Sequence, residues 1–563
     1  MATHKQMNKT TTGANAVIYV IVVLIGLVIV NVAATRFSRR VDFTEDKIYS
    51  LSPASKDLVR NLGDRMTVKA FISKKLPPHD EQTGRYVRDM LEEYARASDG
   101  KLDWQALTPD DDKVIQQEAE KLKVPKLNRT AATNDEFTIG ANYLGIALQY
   151  QGNVESIPDI KGPEGLEFQI STLIKMMAVK KKKLLFASSE GELLPNGSPQ
   201  QQQAHNGLTM VRQFLSDYQV DQVSLNDKLL PNDGDALIIA GPRSAITERG
   251  KFVIDQFLMK GHSVAFLIDG MIVEAPGGQQ MPGNDQPQLG RKNDHGMDDL
   301  LEHYGFKIHD DVVMEPKLHA PGLVTIRGKQ MLQSNPVFTV ATQLNHANTI
   351  TERLKGIIFP MASSVDQVAG KQPGFAVQAL ATSSADAWHQ AGMFVFDPET
   401  PLKPQADKGP FTYAYAGKGK LTSFFAGKPH PNAKGEKIEP PLPNVSAPPS
   451  DEQVLESAEG EPRIVVVGDS GFASDEYLQL MQVYSSYQVD VIFTLAIFDW
   501  LCADESMSAL RQKVVQARPL SVEGESTKRL MKYGNVVGVP LLFILFGILR
   551  WQLRNARRRS AKI

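Results

Sequence analysis

Five side chains in this 563-residue chain stand where an α/β sheet would put chemistry. Ser189 and Glu190 follow the apolar run Leu184–Ala187, Asp269 follows Ser263–Ile268, and Asp469 with Ser470 follow Arg463–Gly468. Gly241-Pro242 closes a fourth such run, Ala236–Ala240. Short continuous apolar runs are what strands buried on both faces look like, and open α/β sheets bind ligands outside the carboxyl ends of their strands. The five residues are therefore candidates to line one crevice as ligand contacts, and Glu190, Asp269 and Asp469 among them are the groups that could carry acid–base work. Strand-to-helix turns demand Asp, Ser and Gly whether or not a ligand is present, so turn chemistry accounts for the same residues.

Other chemistries are excluded by composition or left without a signature. A single cysteine, Cys502, cannot make an intrachain disulfide, a Cys-ligated zinc site or an iron–sulfur cluster; it follows an apolar helix-like stretch and reads as a small packed residue. The 11 histidines include neither His-x-x-x-His nor His-Glu-x-x-His, and His262, His303 and His346 are unassigned, which gives no reason to expect a metal or other cofactor. Neither a Gly-x-Ser-x-Gly elbow nor a Walker-type Gly-x-x-x-x-Gly-Lys-[Ser/Thr] occurs. Lys+Arg at 62 against Asp+Glu at 64 leaves a net charge of −2, which points away from nucleic acid. Hydrophobic residues at 42 % and charged residues at 22 % exclude a disordered chain and a many-pass permease.

The elements that would position these groups form an α/β chain of two units. In the first, residues 36–180, a stalk leads to Ser52-Pro53, a helix start. Met66–Ser73 alternates like a strand, and Tyr86, Val87, Met90, Leu91 and Tyr94 share a helical face. Leu102–Leu107 is strand-like, Asp112–Leu122 helical, Tyr143–Ile157 a hairpin turning at Gln151-Gly152-Asn153, and 165–179 a helix. That order predicts a thioredoxin-like fold, redox-inert because the region has no cysteine. In the second unit, 181–505, a βαβ element with Thr247 as N-cap and Gly261 as C-cap predicts a larger, mostly parallel Rossmann-like sheet with insertions. The run Arg463–Ser470 is expected to rejoin that sheet. Residues 275–293 and the proline-rich 428–462 read as mobile loops, and Lys180–Lys183 as a solvated helix end.

Both ends of the chain read as membrane anchors. Ala16–Ala34 is close to the length that crosses a bilayer core, which places a first transmembrane helix at 15–35 after a cytoplasmic segment 1–14. Val536–Leu549, extended to Tyr533 and Trp551, places a second at 533–551 after a return stalk 506–532. The tail 552–563, with Arg554, Arg557, Arg558, Arg559 and Lys562, predicts a cytoplasmic C-terminus. Two transmembrane helices then leave 36–532 extracytoplasmic, on a bacterial inner membrane. Gly26 and Asn31 in the first span, and Gly538 and Gly547 in the second, are the candidate helix contacts.

The order of these pieces resembles the GldG family, the auxiliary component of ABC transport systems first associated with gliding motility. The matching residues are Val41-Asp42-Phe43-Thr44, Tyr49-Ser50-Leu51-Ser52, Asp235 to Pro242, Asp255 to Leu258 with Gly261, Leu300 to Phe306, Arg463 to Ser470 and Phe498-Asp499-Trp500-Leu501. Family members usually carry a Gly-His-Gly-Glu turn after the first strand of the second domain; here Ser189-Glu190-Gly191-Glu192 stands there, with Glu190 replacing the histidine. The resemblance implies a noncatalytic, membrane-anchored periplasmic partner of an ABC permease and its cytoplasmic ATPase. The alternative is an extracytoplasmic ligand-binding or sensor protein with degenerate amidotransferase-like hydrolase ancestry.

Overall fold

The computed structural model describes residues 50–132, 137–163, 165–197, 207–274, 288–326, 329–396, 407–428, 454–482, 487–504, 534 and 539–560. The chain falls into two compact units, Met1–Val514 and Val515–Ile563, and the 180/181 division lies within the first. This first unit is mixed α/β with several sheets.

Its amino-terminal lobe runs α1 (Pro53–Arg60), β1 (Met66–Ile72), α2 (Pro78–Ala97), β2 (Leu102–Leu107), α3 (Lys113–Lys121), β3 (Leu127–Ala132), β4 (Phe137–Asn142), β5 (Leu144–Tyr150), β6 (Asn153–Ile157) and α4 (Leu166–Ala178). Ser52 caps α1, its Oγ accepting from Ser55 N at 3.2 Å, with Pro53 at the first helical position. The central sheet has the order β2-β1-β5-β6, with β1 parallel to β2 and antiparallel to β5. The helical face anticipated on α2 is buried in the core with β1 and α4. On the opposite face α3 packs Ala119 and Leu122 against Phe71 and Ala147. The β3–β4 hairpin was not anticipated.

The larger lobe is built on β7 (Lys182–Ala187), β8 (Tyr218–Val223), β9 (Ala236–Ala240), α5 (Glu248–Met259), β10 (Ser263–Leu267), α6 (Asp298–His303), β11 (Gln343–Leu344), β12 (Phe375–Thr382), β13 (Thr412–Gly419), β14 (Arg463–Val467), α7 (Asp475–Gln482) and α8 (Tyr487–Leu501). Its eight strands lie in the order β11-β12-β13-β14-β10-β9-β7-β8. β8, β7, β9, β10 and β14 are parallel, and β13, β12 and β11 extend the sheet antiparallel. β14 does rejoin the sheet after the insertion, with Val264 opposite Ile464. Alternate residues of one strand serve the two faces: Leu184, Phe186, Ile238 and Val465 pack with α7 and α8, whereas Leu185, Leu237, Phe266 and Val466 pack with α5 and α6. This is why these strands read as unbroken apolar runs.

Two expected loops are partly structured. Gln288–Lys292 is a strand, paired antiparallel with Met271–Glu274 and with Phe394–Phe396. Its Gln-Leu-Gly-Arg-Lys sequence hides the strand because ladder bonding, not burial, fixes it. Of 428–462, Leu455 exchanges bonds with the Gln256 side chain at 2.8 and 3.1 Å. Residues 275–287 and 429–453 lie outside the described residues. The lysine run is also paired rather than only solvated: Lys182 Nζ lies 2.9 Å from Asp235, and Lys183 Nζ lies 2.9 Å from Asp221 and 3.1 Å from Asp233.

In the second unit, α9 (Val539–Ser560) is a 22-residue helix exposing Leu541, Ile544, Leu545, Phe546 and Leu549. No helix among the described residues is long and apolar enough to cross a membrane. In α9 the apolar stretch from Val539 ends at Arg550, spanning about 16 Å of a ~30 Å hydrocarbon core. The proposed span 15–35, with Gly26 and Asn31, lies outside the described residues, as do 535–538 with Gly538. Gly547 is in α9, and a Cβ there would meet nothing within 4 Å among the described residues.

Candidate functional site

The carboxyl ends of β7, β9, β10 and β14 do bring the candidate residues to one edge of the sheet, but most are bonded to one another or to neighbouring turns. Asp269 Oδ1 accepts from Ser470 N at 2.6 Å, and its Oδ2 from Ser470 Oγ at 2.7 Å. One carboxylate thus satisfies both polar groups of a residue 201 positions away, stapling the turn after β10 to the turn after β14. Both residues are buried, and charge-assisted bonds of this kind contribute about 1.5–3 kcal/mol each. Gly241 completes the fit: its φ is +59°, and a Cβ there would lie 2.5 Å from Ser470 Oγ.

Ser189 and Glu190 are used differently. Ser189 Oγ accepts from Leu225 N at 2.8 Å, and Glu190 Oε1 accepts from Asn226 Nδ2 at 2.7 Å, so both hold the turn after β8. The Glu190 carbonyl accepts from Arg243 N at 2.8 Å and Ser244 N at 3.1 Å. Arg243 Nη1 in turn lies 3.6 Å from Asp269 Oδ2. The edge is a chain of polar contacts running Glu190, Arg243, Asp269, Ser470, and neither Ser189 nor Glu190 touches the Asp269–Ser470 pair in it.

Asp469 stands apart. Its Oδ1 accepts from Gly471 N at 2.7 Å, while Oδ2 is buried with no hydrogen-bond partner among the described residues. Burial first, and then the nearby Asp269 carboxylate, push Asp469 well above the ordinary carboxylate range. Beneath it, Asp490 on α8 accepts from Ile358 N at 3.0 Å and Tyr477 Oη at 3.3 Å. Burial raises Asp490 to about 8. Both carboxyls favour their neutral forms, which suits groups packed into an apolar layer.

Sequence reasoning missed Arg243, Asn293, His295 and Asp490. Arg243 was visible as the residue after Gly241-Pro242. Asn293 Nδ2 donates to the Asp269 carbonyl at 2.8 Å and the Pro242 carbonyl at 3.2 Å. His295 Nδ1 accepts from Met297 N at 3.1 Å, and burial lowers its pKa. Of the unassigned histidines, His262 stacks on Phe257 at 4.5 Å, and His303 and His346 contact backbone carbonyls. Cys502 is buried, and burial pushes its thiol well above the ordinary range, away from the reactive thiolate.

The fold and this edge define a two-lobed α/β protein whose strand-end polar groups are largely consumed in holding the sheet's turns together. Residues 181–493, more than half the chain and nearly all of the larger lobe, match the family described as an ABC-type uncharacterized transport system, and the chain belongs to that family of ABC transporter auxiliary proteins. Residues 45–149 match a domain of unknown function. An uncharacterized protein of Borreliella burgdorferi is 20% identical over 551 residues, covering 96% of this chain and 97% of that one. Among solved structures, the mmIFT52 N-terminal domain aligns with 57% of this chain and 97% of its own, at 13% identity and a TM-score of 0.30.

Proposed function

We propose that this chain is a noncatalytic, membrane-anchored auxiliary subunit of a GldG-type ABC transporter, working with a permease and a cytoplasmic ATPase. Membership of the ABC-type transport family carries the transporter part of the reading. The noncatalytic part rests on one observation: Asp269 and Ser470, the pair best placed for chemistry, are spent on each other. In this reading the spans 15–35 and 533–551 hold residues 36–532 outside a bacterial inner membrane, with both termini in the cytoplasm, an assignment supported by the basic tail. The first lobe is a thioredoxin-like scaffold without redox chemistry. The two lobes receive motion from partner helices or present a surface to substrate or envelope components. Purifying the detergent-solubilised full chain and identifying what accompanies it tests the reading: a permease and an ABC ATPase are expected in stoichiometric amounts. Recovery of the chain without either contradicts it.

A further inference from the structure

One helix of the first lobe is bonded near one end to residues 52–55 and near the other to Asp504. At the amino end of α4, Glu167 Oε1 accepts from Ser52 N and from Ser55 Oγ, each at 2.7 Å. One turn further on, Ser171 Oγ lies 2.9 Å from Ser55 Oγ and 2.7 Å from Tyr94 Oη. These bonds fix the Ser52–Ser55 segment against α4. At the other end of α4, buried Lys175 Nζ lies 2.5 Å from Asp504 Oδ2 and 3.4 Å from Asp217 Oδ2, and 5.4 Å from the centre of the Tyr218 ring. Tyr218 Oη donates to Asp499, on the last turn of α8. These contacts fix the end of α8 and Asp504 against α4.

Glu167 and Lys175 are eight residues apart on a continuous helix, which places the two anchor points about 12 Å apart along its axis. The same helix leads within four residues into β7, a strand inside the larger sheet. We propose that α4 is a mechanical junction: it holds the Ser52–Ser55 segment near one end and the end of α8 with Asp504 near the other, and passes a displacement of either to the other. A hydrogen-bonded helix is stiff along its axis, whereas the groups that grip it are discrete polar contacts able to hold or release. Its use in transport rests on the anchored, partner-coupled reading above; the junction itself does not.

Hydrogen–deuterium exchange on the purified full chain tests the junction, with Glu167→Ala releasing the Ser52–Ser55 segment and Asp504→Ala the end of α8. Each substitution is expected to speed exchange about tenfold in the peptide at its own end, 51–60 or 495–504, and at least about threefold in the peptide at the opposite end. Exchange in β9 and β10 is expected to stay unchanged, which separates transmission from general loosening. An effect confined to the mutated end, absent there, or spread equally over β9 and β10 overturns the proposal. If Glu167→Ala fails to fold, Asp504→Ala read at residues 51–60 decides alone. Co-purification of the permease, scored in parallel, bears on the functional reading only.

Discussion

Replacing Asp490 by Asn should stabilise the protein at neutral pH and remove a pH dependence that the native chain carries. In the folded state this carboxyl is buried and titrates near 8, against about 4 in an unfolded chain. Between those values the unfolded chain has released the proton and the folded chain keeps it, so stability falls as pH rises from about 4 and levels off above about 8. Each unit is worth about 1.4 kcal/mol, which makes the cost at pH 7 about 4 kcal/mol. Asparagine keeps an oxygen for Ile358 N and an NH₂ for Tyr477 Oη, at a cost of about 1 kcal/mol for altered bonding. The net expectation is a gain of about 3 kcal/mol at pH 7, falling to near zero at pH 5. Urea midpoints of the detergent-solubilised native and Asp490→Asn chains, compared at pH 5, 6, 7 and 8, give the difference directly. A difference that stays constant across this range, or shrinks as pH rises, refutes the reasoning.

Gly241→Ala should destabilise by at least about 2 kcal/mol, since it combines a left-handed backbone with a contact against Ser470 Oγ, and thermal unfolding measures it. Lys175→Met should cost about 3 kcal/mol, because buried Asp217 and half-buried Asp504 lose the Lys175 ammonium; the loss should show in urea denaturation. With Cys502→Ala as background, Arg558→Cys should react with an impermeant thiol reagent only after the cells are permeabilised, as the cytoplasmic tail requires.

How far the sequence revealed the structure depended on whether the determining contacts were local. β7, β9, β10 and β14 were legible because burial on both faces writes an unbroken apolar run. α5 was legible from Thr247, whose Oγ accepts from Gly250 N at 3.1 Å, and from Gly261 at φ +84°. The insertion was not, because strands such as Val365–Gln367 are three residues long and held by ladder bonds to distant partners. The site divided in the same way. Asp269, Asp469 and Ser470 could be placed at strand ends from the runs before them. That Asp269 would be consumed by Ser470 is a property of β10 lying beside β14, and no local pattern encodes it.

Coupling to a transporter, and not chemistry at the strand-end edge, is the proposed seat of function. Its most direct test replaces Glu190, Asp269 and Asp469 together by Gln, Asn and Asn in the full chain, with folding checked by circular dichroism. Permease and ATPase recovery is then scored alongside the transport-dependent phenotype. Both are expected to survive, and both to fail when the two apolar segments at 15–35 and 533–551 are exchanged for unrelated membrane helices. A triple variant that is folded and still bound to the permease, yet inactive, would contradict it.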